Sequence, residues 1–259
     1  PKLPNPLPLS MRLLSRLQQR LDRFFQKPLI YFITLTALAA ATPRAFAPYY
    51  QFWLMPLLFG GLIALTEIKP ERRISSAYWF GLIAYTSQFW WIHTALHDVS
   101  GLPNVYAVPL TFLLPAFLAL FPAIAFWLYG KQRLPRPLAI GLLLPMLWTL
   151  TEFARERVFT GFGWGALGYS QIADYSPLAA LAPIGGIHLV TFATALAGAW
   201  LLLMVRNHSL VQRIIFALLF CIMLQQTNVR REKNYTDKNS LPVSCLLYTS
   251  PSPRDLSTS

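Results

Sequence analysis

The sequence predicts an all-α integral membrane protein: a polytopic bundle of about seven transmembrane helices with a cytoplasmic N-terminus. Three observations carry this expectation. Apolar residues fill 55% of the 259 positions and charged residues only 12%, against about 45–50% and about 25% in soluble domains. The apolar residues gather into runs that approach the roughly 20 residues a helix needs to cross a hydrocarbon layer. The basic residues, which bring the net charge to +12, flank those runs and crowd into alternate connections. That placement excludes nucleic acid as a partner, since no zinc-finger spacing, RNA-binding aromatic motif or helix-turn-helix pattern accompanies the charge.

The chain opens on Pro1, and Met11 is the first residue suited to initiation, so residues 1–10 read as upstream of a native start. Within the basic amphipathic segment 1–27, Leu13, Leu14, Leu17, Leu21, Phe24 and Phe25 recur at helical spacing opposite Arg12, Arg16, Arg20 and Arg23. Such a helix suits either the surface of an anionic leaflet or a plain positive anchor before the first span.

The membrane domain is expected over 28–225, with spans at 28–42, 52–66, 74–92, 105–129, 138–153, 178–205 and 214–225. Pro43, Arg44 and Pro48 part the first from the second. Ala45-Phe46-Ala47 has the form of a signal-peptide cleavage site, but Pro48 and the apolar run that follows oppose cleavage. A charged turn from Glu67 to Arg73 precedes the third span, which ends on Phe89-Trp90-Trp91, residues suited to headgroup depth. Pro109, Pro115 and Pro122 predict kinks in the fourth. Lys131 to Arg136 separate it from the fifth, and a re-entrant-looking connection over 154–175 leads to the sixth.

Orientation follows from the basic residues, because short cytoplasmic loops are enriched in Lys and Arg. One side collects the arginines before Lys27, then Lys69, Arg72 and Arg73, then Lys131, Arg133 and Arg136, then Arg206 and Arg213; the other collects Arg44, Arg155 and Arg157. Seven spans with the N-terminus inside place everything after Gln225 outside. Residues 226–244 read as the start of an extramembrane domain. Residues 246–259 are Ser/Thr/Pro-rich, cannot form a core, resemble an in-frame translation of a sequencing adapter, and are expected to be disordered and foreign.

Candidate chemistry concentrates after the fifth span. Glu152 sits at the outer end of an apolar helix, where an ionisable group is costly and is usually paired or functional. Arg155, one helical step on, is in position to pair with it. Gly161, Gly163 and Gly168 allow sharp turns, while Phe162, Trp164 and Tyr169 offer apolar faces with polar neighbours, a combination suited both to a lipid and to ordinary interfacial anchoring. His93 and His97 stand four apart beside Asp98, but no third ligand is identifiable, so no metal site is assigned. His188 reads as a structural histidine and Cys221 as a packing residue in the seventh span. No cofactor is expected.

The order T-E-F-x-R from Thr151, T-G-F-x-W from Thr160 and G-Y-S-Q from Gly168, followed by L-A-P-I-x-G from Leu181, resembles the membrane domain of the apolipoprotein N-acyltransferases. Ala45 to Tyr49 and the Trp91 segment fit the same family, and the likeness covers about 32–205. Two departures stand out: Gly163 where members often carry proline, and Glu156-Arg157 in place of a less charged pair.

The resemblance implies a bacterial inner-membrane enzyme that moves an acyl chain from a phospholipid donor to the amino group of a diacylglyceryl-modified lipoprotein cysteine. It implies a thioester on a cysteine, assisted by a glutamate and a lysine, all in a periplasmic α/β carbon-nitrogen hydrolase domain. On that reading the chain is truncated before the hydrolase domain and an eighth span, and holds no catalytic residue. Glu152, Arg155, Thr160, Trp164, Tyr169 and Gln171 are the expected substrate contacts, and phospholipid, lipoprotein and membrane lipids the expected partners. A transporter or a non-catalytic scaffold would share the kinked spans and basic loops. A transporter also predicts internal repeats and mid-membrane ionisable groups, neither of which the sequence carries.

Overall fold

The computed structural model describes residues 18–206, apart from 160 and 173–175, together with six separate positions between 214 and 225. The seventh predicted span and the segments 1–17, 226–244 and 246–259 therefore lie outside what is described, fully or in large part. The described residues are helical and include no strand.

Helix α1 (Gln18–Phe25) meets α2 (Pro28–Ala40) at a bend of 93°. Pro28 opens α2, where its missing N–H is harmless and its fixed φ suits the first turn. A 3₁₀ turn at Thr42–Ala45 closes α2's C-terminal end, and α3 (Leu54–Ile68) returns. Helix α4 (Arg73–Gln88) goes back out, followed by short α5 (Trp91–Thr94) and one π-helical turn, Ala95–Val99. Helices α6 (Asn104–Leu118) and α7 (Leu120–Lys131) form one rod of 28 residues. Pro109 and Pro115 lie inside α6 and Pro122 in the first turn of α7; the joint between the two helices falls at Ala119, whose amide still bonds the Pro115 carbonyl at 2.9 Å. A second rod, Arg136–Arg155, combines α8 (Arg136–Leu138), a π-helical turn (Ala139–Leu143) and α9 (Leu144–Arg155). The widened turn leaves the Gly141 carbonyl open, and Trp200 Nε1 donates to it at 2.9 Å. Helix α10 (Ala182–Arg206), entered through the 3₁₀ turn Pro177–Leu181, is kinked where Gly186 adopts φ 61°.

The six predicted spans within the described residues thus coincide with helices to within a few residues. Three rods, Asn104–Lys131, Arg136–Arg155 and Pro177–Arg206, are long and apolar enough to cross a membrane, or four segments if the bent α1–α2 pair is one span. Helix α3 is apolar but has only 15 residues.

The core forms where α10 lies along α3 and α9, with Phe59, Ile63, Phe126, Leu144, Trp148 and Ala199 buried in it. Small residues make this contact possible. A Cβ at Gly198 would stand 2.4 Å from the Pro56 carbonyl oxygen, and one at Gly60 would stand 2.8 Å from the Gly198 carbonyl oxygen. The two backbones touch, as they do in membrane helix pairs built on small residues. Indole and hydroxyl groups tie α2 to α4: Trp79 Nε1 donates to Thr36 Oγ1 at 3.0 Å, and Tyr31 and Ser76 share a 2.7 Å bond.

At the other end of the bundle, several helix ends converge on Glu67. Its Oε1 accepts from Arg73 Nη2 and the Tyr129 hydroxyl, both at 3.0 Å, and its Oε2 accepts from Arg136 Nε at 3.0 Å and Nη2 at 2.8 Å. One carboxylate therefore joins the ends of α3, α4, α7 and α8. The cysteine read as a packing residue, Cys221, is exposed.

Gly198→Val is expected to force α3 and α10 apart and to cost more than about 2 kcal/mol, the scale of overpacking a tight core. Thermal unfolding of the purified protein in detergent measures it, and a midpoint equal to wild type contradicts the close crossing. Glu67→Ala, which leaves two arginines without their carboxylate, is expected to cost about 2–4 kcal/mol by the same measurement.

Candidate functional site: a buried carboxylate beneath an aromatic cap

Along α9, Leu144, Trp148, Thr151, Glu152 and Arg155 are all buried. Their spacing places Trp148, Glu152 and Arg155 on one stripe of the helix, turned into the bundle: Trp148 against Phe59 and Phe126, Glu152 towards α10 and Arg155 towards Tyr85. Glu152 is only 2% exposed. Every donor around its carboxylate is neutral and comes from a different place. Trp148 Nε1, one turn below, donates to Oε1 at 2.9 Å. The Leu167 amide donates to both oxygens, at 3.0 and 3.2 Å. Thr191 Oγ1 on α10 donates to Oε2 at 3.0 Å and accepts the Gly168 amide at 3.0 Å. The carboxylate thus stitches α9, the returning turn Leu167–Gln171 and α10 together.

The turn comes this close because residue 168 is glycine. A Cβ there would lie 2.7 Å from the Ile187 carbonyl oxygen and 2.9 Å from the Thr191 amide nitrogen, both backbone atoms that cannot step aside.

The expected ion pair between Glu152 and Arg155 does not form as direct contact among the described residues. Arg155 is 1% exposed and turns the other way: Nη1 donates to the Trp164 carbonyl at 2.8 Å, and the guanidinium lies over the Tyr85 ring at 5.3 Å. Helical adjacency brings the two residues to the same face, but the loop backbone supplies better-aligned partners to each. Arg155 Nε and Nη2 have no hydrogen-bond partner among the described residues. Arg155 also forms part of the wall of a pocket of about 270 Å³ whose other sides are Leu114, Phe117, Val158, Phe159 and Phe162.

Above this level the chain folds into a cap. The Phe162 amide returns to the Arg155 carbonyl at 3.1 Å. Gly161 makes the reversal at φ 72°, where a Cβ would sit 2.2 Å from the Glu156 carbonyl oxygen. Phe162 meets Phe89 edge to face at 5.1 Å, and Trp164 lies against Trp91 at 5.6 Å. Trp164 itself remains 60% exposed. Glu156 reaches across the loop to His188 Nε2 at 3.1 Å, and its side chain covers Gly163, where a Cβ would meet it at 3.1 to 3.3 Å.

The other expected contacts fall in different settings. Gln171 is buried and internally engaged: Nε2 donates to the Phe52 carbonyl at 3.0 Å, and Oε1 accepts from Ser176 Oγ at 2.7 Å. Tyr169 is half-buried in the same turn. Thr160 lies outside the described residues. His93 and His97 do not converge on one point: His93 Nε2 pairs with Asn104 Oδ1 at 3.1 Å and His97 Nδ1 with the Leu102 carbonyl at 2.8 Å. Trp148, Leu167 and Thr191 were not among the sequence candidates. Trp148 was findable, since it stands four residues before Glu152 on one helix, whereas Thr191, thirty-nine residues on, carries no local signal.

A helical membrane domain capped on one end by an aromatic, glycine-turned loop over a buried carboxylate is the class these features define. The family follows from comparison. Residues 38–200 match the model of the apolipoprotein N-acyltransferase N-terminal domain, and the chain belongs to that family. The apolipoprotein N-acyltransferase of Neisseria meningitidis serogroup B is 59% identical over 218 residues, 84% of this chain and 43% of that protein. Those of Chromobacterium violaceum and Vibrio cholerae are 49% identical over 179 residues and 39% over 153, covering 34% and 30% of their lengths. The chain spans less than half the length of these curated relatives.

Thr191→Val removes one donor from Glu152 and the acceptor of the Gly168 amide. It is expected to lower stability by about 1–2 kcal/mol, and Glu152→Gln by about 1–3 kcal/mol. Because the residues touch, the double variant should lose clearly less than the sum of the two, read as thermal midpoints; simple additivity contradicts the shared network.

Proposed function

We propose that this chain is the membrane part of an acyltransferase that takes an acyl chain from a phospholipid and places it on the amino group of a lipoprotein's diacylglyceryl-modified cysteine. The observation that carries the reading is the family match over 38–200, which includes the Glu152 network and its cap. On this reading the chain crosses the bacterial inner membrane seven times from a cytoplasmic N-terminus. Its basic connections, gathered around Glu67 and Arg206, face the cytoplasm. The thioester chemistry belongs to a carbon-nitrogen hydrolase domain on the outer face, and the cap is the floor on which that domain works.

The site residues divide into two roles. Glu152, Arg155 and Gln171 hold the cap in place through the bonds described above. Trp164, with Thr160 and Tyr169, offers the surface that substrate meets. The pocket beside Arg155 supports a phospholipid donor, since Leu114, Phe117, Val158, Phe159 and Phe162 give it apolar walls suited to an acyl chain.

In the complete protein, Trp164→Ala is expected to lower kcat/KM for lipoprotein acylation about tenfold, the worth of one aromatic contact of about 1.4 kcal/mol, with the thermal midpoint preserved. Trp90→Ala, an exposed indole away from the Glu152 network, serves as the control. Equal activity in wild type and Trp164→Ala would remove Trp164 from the substrate surface, and no acylation by the wild-type protein would sink the reading itself.

A further inference from the structure

At the inner end of the bundle, α1 meets α2 at 93°. If α2 runs across the bilayer, α1 must lie flat along its surface. Gln18, Asp22 and Phe25, spaced one turn apart, are partly buried and face the bundle, and Phe25 packs against the core. Asp22 Oδ1 pairs with Arg206 Nη2 at 2.6 Å, and Arg206 Nη1 bonds the Ala64 carbonyl at 3.3 Å, so α1 is fastened to the ends of α10 and α3.

The opposite face is left outward. Leu21 is 56% and Phe24 50% exposed, and Arg20, Arg23 and Lys27 beside them are exposed as well. This apolar strip continues onto α2 through the exposed Leu29, Phe32 and Ile33.

We propose that this face of α1 is a docking surface for anionic lipid, with Leu21 and Phe24 entering the upper acyl layer and Arg20, Arg23 and Lys27 holding headgroup phosphates. A short apolar centre flanked by long cationic side chains is the composition of an interfacial helix, because the side-chain stems follow the apolar layer while the charges reach the phosphates. Continuity with the outer surface of α2 places the strip at the depth where headgroups give way to chains. Charge complementarity selects the occupant: a second copy would bring three like charges against three, whereas an anionic leaflet supplies the opposite sign. Since α1 is bolted to α3 and α10, headgroup contact stabilises the helix pair that forms the core. The inference is independent of the proposed acyl transfer.

The test reconstitutes the complete protein in nanodiscs of phosphatidylcholine with and without phosphatidylglycerol and follows thermal unfolding. Wild type is expected to unfold about 3–6 °C higher in the anionic discs, the effect shrinking in high salt. The variant Arg20→Gln/Arg23→Gln/Lys27→Gln is expected to match wild type in pure phosphatidylcholine but to lose at least half of the anionic increment. Leu21→Ser/Phe24→Ser is expected to lose part of it as well. Full retention of the increment by the triple variant, or no increment in wild type, overturns the proposal. So does a concentration-dependent dimer that Leu21→Ser/Phe24→Ser abolishes, which assigns the face to a second copy.

Discussion

The fold of the capped half depends on a single carboxylate surrounded by neutral donors. Glu152 receives an indole, a backbone amide and a hydroxyl from three different parts of the chain. Such a group is expensive to bury, and the cost is offset only while every donor is in place. The requirement runs in both directions. The carboxylate holds the Leu167–Gln171 turn against α10, and the turn's approach, possible only with glycine at 168, is what supplies the amides. Cap geometry, the direction taken by Arg155 and the placement of Trp164 all follow from that closure.

The half around Glu67 is organised differently. Glu67 sits among arginines and a tyrosine at the ends of four helices and works as an ion-paired clasp, partly in reach of water. Between the two carboxylates lies the contact of Gly60 with Gly198, which has no polar component and depends on the absence of side chains. The bundle is therefore fixed at three levels by three kinds of physics: neutral donors around a carboxylate at the capped end, backbone packing in the middle and charge pairing at the Glu67 end. Each suits its setting, since ion pairs are least costly near water and close packing needs no polar group at all.

Much of this was legible in the sequence, and the rest was not for identifiable reasons. Runs of apolar residues marked six helical segments to within a few positions, of which three, or four with the bent pair, are long and apolar enough to cross a membrane. The family-like segment from Thr151 to Gln171 drew attention through its glycines and aromatics, and the Glu152 network and its cap are built largely from that stretch. Partnership was harder to read. Glu152 and Arg155 stand one helical step apart, yet each bonds elsewhere, since the loop that returns over α9 competes for both. Likewise His93 and His97 share a helical face, but each is taken by the Leu102–Asn104 segment beyond them. Glu67 looked like one charge in a charged turn, because nothing local announces that Tyr129 and Arg136 will arrive there. Spacing along one helix reports which side chains look the same way; what meets them is decided by segments far along the chain.

The cover that Glu156 lays over Gly163 carries a consequence for how this loop can change. The two positions draw on one small volume, so a bulkier residue at 163 presses on the Glu156 side chain and must move it by a few tenths of an ångström. Because the same Glu156 also reaches His188, that movement is passed to a contact on α10. Positions 156, 163 and 188 are therefore coupled through one side chain, and a change at 163 is felt on a helix that the loop itself does not belong to.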